Sequence, residues 1–245
     1  MRWAAAVLRS TLFMLLQAII TPLYSLLVLA AFPLSPLARY RVISYWAKSM
    51  VWLARLVLGI RWDVSGRENI STEPCIIMAK HQSAWETMAL QLFFPPHVYV
   101  VKRELLRIPF FGWGLALMSP IAIDRDAGMR SIKQTLQQGR ERLAQGFSVV
   151  IFPEGTRVPP GVRGKYQVGG AWLACKTGAS VVPVAHNAGE LWGRNALVRY
   201  PGVVRMIIGA PMESRGVEPE ELNRRVEAWI EAEMSRIGGT AARPV

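Results

Sequence analysis

The segment Cys75-Ile76-Ile77-Met78-Ala79-Lys80-His81-Gln82-Ser83-Ala84-Trp85-Glu86 passes from an unbroken apolar run through a polar loop into the start of a helix. A short apolar run bounded in this way suits a strand buried on both faces of a sheet. Ser83 and Glu86 have the S-x-x-E spacing of a capping box, which sets a helix start at Ser83. On one continuous helix the side chains of His81 and Glu86 would point about 140° apart and could not meet. They meet only with His81 in the loop and Glu86 in the first helical turn. Glu86 could then serve the Ser83 backbone N–H alone, leaving His81 an ordinary loop residue. Alternatively, Glu86 holds the proton-bearing nitrogen of His81 while the other nitrogen takes a proton from a hydroxyl. An imidazole with a reference pKa of about 6.5 suits that work near neutrality. With no G-x-S-x-G elbow in the chain, the nucleophile would be the substrate itself.

Around this segment, short apolar strands alternate with helices from Arg61 onward. Strands are expected at Arg61–Val64, Cys75–Ala79, Val98–Val101, Ile121–Ile123, Ser148–Phe152, Val181–Ala185 and Val204–Ile208. Helices are expected at Ala84–Phe94, Gly128–Ala144, Gly169–Lys176 and Glu220–Arg236. The expected fold class is α/β, a three-layer sandwich around a mixed, largely buried sheet. It follows an N-terminal, apolar, two-helix membrane-associating segment. The expected divisions are residues 1–60 for that segment, 61–238 for the α/β domain and 239–245 for a frayed tail.

From Thr11 to Phe32 the chain is nearly all apolar, long enough to cross a bilayer core, with Pro22 expected to kink it. A signal peptide competes with this reading, but no small-x-small cleavage site follows. On a second helix from Arg41 to Leu58, the residues Arg41, Ser44, Lys48 and Arg55 fall in one polar stripe. That pattern suits a helix at a lipid interface, or one packed on the domain. Basic residues are denser after the first apolar stretch (Arg39, Arg41, Lys48) than before it (Arg2, Arg9). The positive-inside rule then places the main domain in the cytoplasm, on a bacterial-type inner membrane.

The 245 residues carry a net charge of +12, and 51% of them are hydrophobic. The charge calls for an anionic partner. Nucleic acid is set aside because no reader motif or stacking platform accompanies it. Cys75 and Cys175 lack metal or disulfide spacing and read as buried small hydrophobes.

Two further blocks follow strands. In Phe152-Pro153-Glu154-Gly155-Thr156-Arg157, Pro153 stops the ladder and Gly155 permits a tight turn, displaying Glu154 and Arg157 at the strand's carboxyl end. Arg157 suits a phosphate, or else pairs with Glu154. In Ile121-Ala122-Ile123-Asp124-Arg125-Asp126, Arg125 either adds a phosphate contact or is held by its aspartates. Pro183, inside Val182-Pro183-Val184, suggests an edge strand or a bulge, and His97 and His186 read as structural.

His81…Glu86, Ile123-Asp124-Arg125, the Phe152–Arg157 block and Val182-Pro183-Val184, in this order, resemble the glycerolipid acyltransferase family, in particular its bacterial lysophosphatidic acid acyltransferases. The resemblance implies transfer of an acyl group from acyl-CoA or acyl-carrier protein to the free hydroxyl of a monoacylglycerol phosphate at an anionic bilayer surface. No metal or other cofactor is implied. His81 matches the family's catalytic base. Glu86 stands where the family usually has aspartate, and Lys80 where it often has asparagine. Glu154, Gly155, Thr156 and Arg157 match the acceptor-binding motif, Arg125 matches the second motif, and Lys102 is a looser candidate for substrate binding.

Overall fold

Each of the seven apolar runs forms a strand in the computed structural model, which describes residues 2–124 and 129–238. The strands are β1 (Ile60–Ser65), β2 (Ile76–Ala79), β3 (His97–Lys102), β4 (Ile121–Ile123), β5 (Ser148–Ile151), β6 (Val181–His186) and β7 (Gly202–Ile208). They join in one sheet in the order β1-β7-β6-β2-β5-β3-β4. Neighbours from β6 through β4 are parallel, whereas β7 runs antiparallel to β6 and parallel to β1, so the sheet is mixed. The helices are α1 (Arg2–Leu29), α2 (Pro36–Leu53), α3 (Trp85–Phe93), α4 (Phe111–Leu117), α5 (Met129–Ala144), α6 (Gly169–Thr177), α7 (Ala188–Leu191) and α8 (Pro219–Ile237).

Alternation along β2 sorts its side chains into two cores. Ile77 and Ala79 join a buried cluster with Met50 of α2 and Trp85 and Leu90 of α3. Ile76 and Met78 join the opposite cluster with Leu173 of α6 and Leu222, Val226 and Ile230 of α8. Helices thus cover both faces, which gives the expected three layers.

The N-terminal region differs from expectation in its second helix. α1 continues through Pro22, and its span Trp3–Leu29 is long and apolar enough to cross a membrane, with most of it unburied. α2 instead packs into the domain. Ile43, Ser44, Ala47, Met50 and Val51 are buried, so Ser44 leaves the expected polar stripe while Arg41 and Arg55 stay exposed. The helix also starts at Pro36 and widens into a π turn at Ala54–Leu58. An outward face remains on it in Tyr45 and Trp52. Residues 36–60 therefore belong to the same cores as the sheet.

Pro183 lies in β6, an interior strand rather than an edge. Its nitrogen sits on the β7 side, just before the β6–β7 ladder begins at Val184, and its carbonyl accepts the Gly209 N–H. Proline cannot donate the reciprocal bond to Gly209, so the continuous ladder starts only at the next residue, Val184. The tail 239–245, expected to fray, lies outside the described residues.

Met50→Ala, which empties a fully buried site between α2 and the sheet, should lower the unfolding free energy by about 2–5 kcal/mol in urea titrations. Tyr45→Ala, on the exposed face of the same helix, should change it by less than about 1 kcal/mol. Equal effects would place α2 outside the cooperative core.

Candidate active site

β2 ends at Ala79 and α3 begins at Trp85, so Lys80–Ala84 form the loop between them. The helix starts later than the expected Ser83, leaving Glu86 in its first turn. One oxygen of Glu86, Oε1, accepts from His81 Nδ1 at 2.8 Å, from the Gln82 N–H at 3.0 Å and from the Ser83 N–H at 2.8 Å. Ser83 Oγ accepts the Trp85 N–H. The carboxylate that accepts the Ser83 N–H is also the imidazole's partner.

Burial alone would raise the pKa of Glu86. The His186 and His81 imidazoles and the Ser83 N–H outweigh it and hold the carboxyl below its ordinary value. A carboxylate offers only lone pairs, so Nδ1 of His81 donates and Nε2 of the neutral ring carries the free lone pair. Among the described residues, no hydrogen-bond partner occupies Nε2. The ring stacks on Phe152 at 3.9 Å with an interplanar angle of 15°.

His81 lines a cavity of about 410 Å³ together with Phe152 and Arg157. The rest of the wall is largely apolar and comes from all four N-terminal helices and β3, including Val28, Ile43, Met88, Val101, Leu115 and Met118. The cavity lies at the carboxyl ends of the parallel strands β2, β5 and β3, where α/β sheets place their ligands.

The Phe152–Arg157 block divides by direction. Gly155 has φ 67°, a left-handed conformation that a side chain would strain, and its N–H returns to the Phe152 carbonyl. Arg157 lines the cavity, and no carboxylate pairs with its guanidinium among the described residues. Glu154 was expected at the substrate but is turned inward and does not line the cavity. Its Oε1 accepts from Lys80 Nζ at 2.7 Å, and its Oε2 accepts the His81 N–H at 3.0 Å. A buried lysine and a loop N–H with no other acceptor take the carboxylate away from the surface. The alternative Glu154–Arg157 pair does not form.

Gly155 and Thr156 stand at the same turn without lining the cavity, with Thr156 exposed. Lys102 ends β3 exposed to solvent and also lies off the cavity wall, although its neighbour Val101 is on it. Arg125 lies outside the described residues.

The other histidines are buried within the fold. His186 donates from Nε2 to the Lys80 carbonyl and accepts the Ala188 N–H at Nδ1. His97 bonds the Pro95 carbonyl and the Tyr99 hydroxyl.

An acyltransferase family model matches residues 61–187, just over half of the chain. The chain belongs to the acyltransferase family. This acyltransferase is 46% identical over 235 residues to a 1-acyl-sn-glycerol-3-phosphate acyltransferase of Pseudomonas aeruginosa, covering 94% of this chain and 91% of that protein. A protein of the same name from Borreliella burgdorferi is 34% identical over 61% of this chain and 59% of its own length. The crystal structure of a 1-acyl-sn-glycerophosphate (LPA) acyltransferase, PlsC, from Thermotoga maritima superposes with a TM-score of 0.82. That comparison, at 23% identity, covers 99% of this acyltransferase and 100% of the other chain, and it shows the shared fold.

Sequence reading missed two features of the site. The first is the contribution of α1 and α4 to the cavity wall. The second is the set of partners of Lys80, whose place beside His81 was visible but whose burial was not.

Burial pushes His97 down to about 4. The unfolded chain takes up this proton near about pH 6.5, so the associated stability is complete above that pH and declines as pH falls towards 4, by at most about 3 kcal/mol. Urea unfolding between about pH 7 and pH 4.5 should show that decline, and His97→Gln should flatten it. An equally steep decline in the variant would rule out His97 as its source.

Proposed function

We propose that this acyltransferase moves a fatty acyl group from an acyl thioester, acyl-CoA or acyl-carrier protein, to the free hydroxyl of 1-acyl-glycerol 3-phosphate. The product is phosphatidic acid. His81 is the general base and Glu86 its orienter. The observation that carries this reading is the 2.8 Å contact from His81 Nδ1 to Glu86, with Nε2 left over on an apolar cavity that also holds Arg157.

In the reaction, Nε2 takes the hydroxyl proton as that oxygen attacks the thioester carbonyl. The tetrahedral intermediate then collapses, the C–S bond breaks, and the imidazolium returns its proton to the leaving thiolate. Glu86 stabilises the imidazolium while it exists. The apolar wall suits an acyl chain, and the Arg157 guanidinium suits the acceptor phosphate. The N–H groups of His81, Gln82 and Ser83 are already held by Glu154 and Glu86, so they are poorly placed to serve an oxyanion.

The names of the relatives support lysophosphatidic acid as acceptor. The departure at Lys80 does not argue against it, since Lys80 is buried and does not line the cavity. We further propose that α1 lies in or across the bacterial inner membrane, with the catalytic domain on its cytoplasmic side. The exposed row Leu12, Leu15, Ile19, Leu23 and Leu26 supports that placement.

His81→Ala should lower kcat by about 100-fold or more, with the chain still recovered in the membrane fraction. Arg157→Ala should raise the acceptor KM at least about tenfold and the donor KM far less. Radiolabelled acyl transfer to lysophosphatidic acid, glycerol 3-phosphate and a lyso-aminolipid measures both and tests the acceptor. Acylation of another lysolipid but not of lysophosphatidic acid would overturn the substrate proposed here.

A further inference from the structure

We infer that Glu231 of α8 is a positioning residue for proton transfer at His81, acting through Lys80 and Glu154. The inference rests on His81 being the general base and extends that site to a helix beyond the family-matched residues 61–187.

Lys80 is 1% exposed, and each contact of its ammonium group is defined. Nζ donates to Glu154 Oε1 at 2.7 Å, to Glu231 Oε1 at 2.8 Å and to the Val162 carbonyl at 3.2 Å. An ammonium group has three donors, and here all three are satisfied. Glu154 continues the chain. While Oε1 holds Lys80, Oε2 accepts the backbone N–H of His81 at 3.0 Å. Oε1 is also approached by the Gly164 N–H, and a Cβ at that glycine would lie 2.8 Å from it, so the carboxylate cannot swing that way. At the other end, Glu231 Oε1 also accepts the Tyr166 hydroxyl at 2.8 Å. Burial, and then that carboxylate, push the phenol far above its ordinary pKa, so it remains a donor. Side chains on α8, the β2 loop and the β5 loop thus form one unbroken path, Glu231–Lys80–Glu154–His81 N–H.

The physical argument is one of charge and geometry. A buried ammonium with a single carboxylate partner retains donors with nothing to bind, and is free to tilt about that one contact. A second carboxylate from a different element fixes the direction of Nζ, and so the direction of Glu154. Glu154 sets the height of the His81 backbone while Glu86 sets the ring. Small displacements of a base relative to its substrate proton change rate more than binding.

α8 is built to deliver this carboxylate. Asn223, Glu227 and Glu231 recur every four residues and share one face. Along that face Asn223 Nδ2 donates to the Tyr166 carbonyl at 3.4 Å, and Arg163 forms a pair with Glu227 at 2.6 Å. The Arg163–Glu227 pair touches neither Lys80 nor Glu154, and its arginine is exposed. Glu227 is therefore the natural control.

The test uses the full-length chain in lipid vesicles with acyl-CoA and lysophosphatidic acid. Glu231→Gln should lower kcat about tenfold while both KM values stay within about twofold, whereas Glu227→Gln should leave kcat within about twofold. Glu231→Asp, which keeps the charge on a shorter stem, should fall between them. It also serves as the test variant should the glutamine form not fold. In a Lys80→Gln background, Glu231→Gln should add nothing further, since its route to His81 is gone. Multiplying effects of the two substitutions, or a Glu231→Gln kcat equal to that of the parent, would overturn the inference.

A second readout needs no turnover. His97 and His186 are both fully buried, so carbethoxylation by diethyl pyrocarbonate reports on His81. Its rate and pH dependence should differ between the parent and Glu231→Gln. Superimposable curves would also overturn the inference. If the curves differ but no lysolipid is acylated, the positioning role stands and the proposed reaction falls.

Discussion

The structure of the site depends on a single carboxylate oxygen. Oε1 of Glu86 receives three donors, two from the backbone at the entrance to α3 and one from His81. The two N–H groups need an acceptor whatever the protein does, because they belong to fully buried loop residues that water cannot reach. That need holds Glu86 in place, and the imidazole is oriented by a group already immobilised for another reason. The second oxygen of Glu86 is buried without a hydrogen-bond partner among the described residues, so the first oxygen takes all three contacts.

A second carboxylate completes the frame from the opposite side. Glu86 holds the ring of His81 and Glu154 holds its backbone, so the residue is fixed at two points. Phe152 closes a third side by stacking. The cost of burying two carboxylates is offset locally, by N–H donors at Glu86 and by the Lys80 ammonium at Glu154. Although the chain is strongly cationic, its most buried cation among the described residues, Lys80, serves the interior. The cation that lines the cavity, Arg157, is left without a carboxylate partner among the described residues.

Most of the layer architecture was legible in the chain because period and punctuation are local properties. All seven strands, α3, α5, α6 and α8 lie within two residues of where alternation, caps and turns place them. Reading failed where the outcome depended on what lies opposite. The apolar surplus of α2 fits a lipid interface and a protein interior equally well, and only its contacts with α3 and the sheet distinguish them. Pro183 breaks the edge-strand expectation because it stands just where the β6–β7 ladder begins, a matter of register. Glu154 sits in a motif that suggests display, but its partner lies 74 positions away in sequence.

The sequence alone determined the α/β class, the strand order along the chain, the strand-to-helix junction that carries His81 and Glu86, and the family. These follow from spacings of a few residues, across which sterics and backbone hydrogen bonding leave little choice. Tertiary structure alone decided that Glu154 faces inward, that α1 and α4 wall the cavity, and that Glu231 reaches Lys80 across 151 positions. Those contacts arise from close packing between distant elements. A charged residue on a helix looks the same in sequence whether it faces water or a buried ammonium.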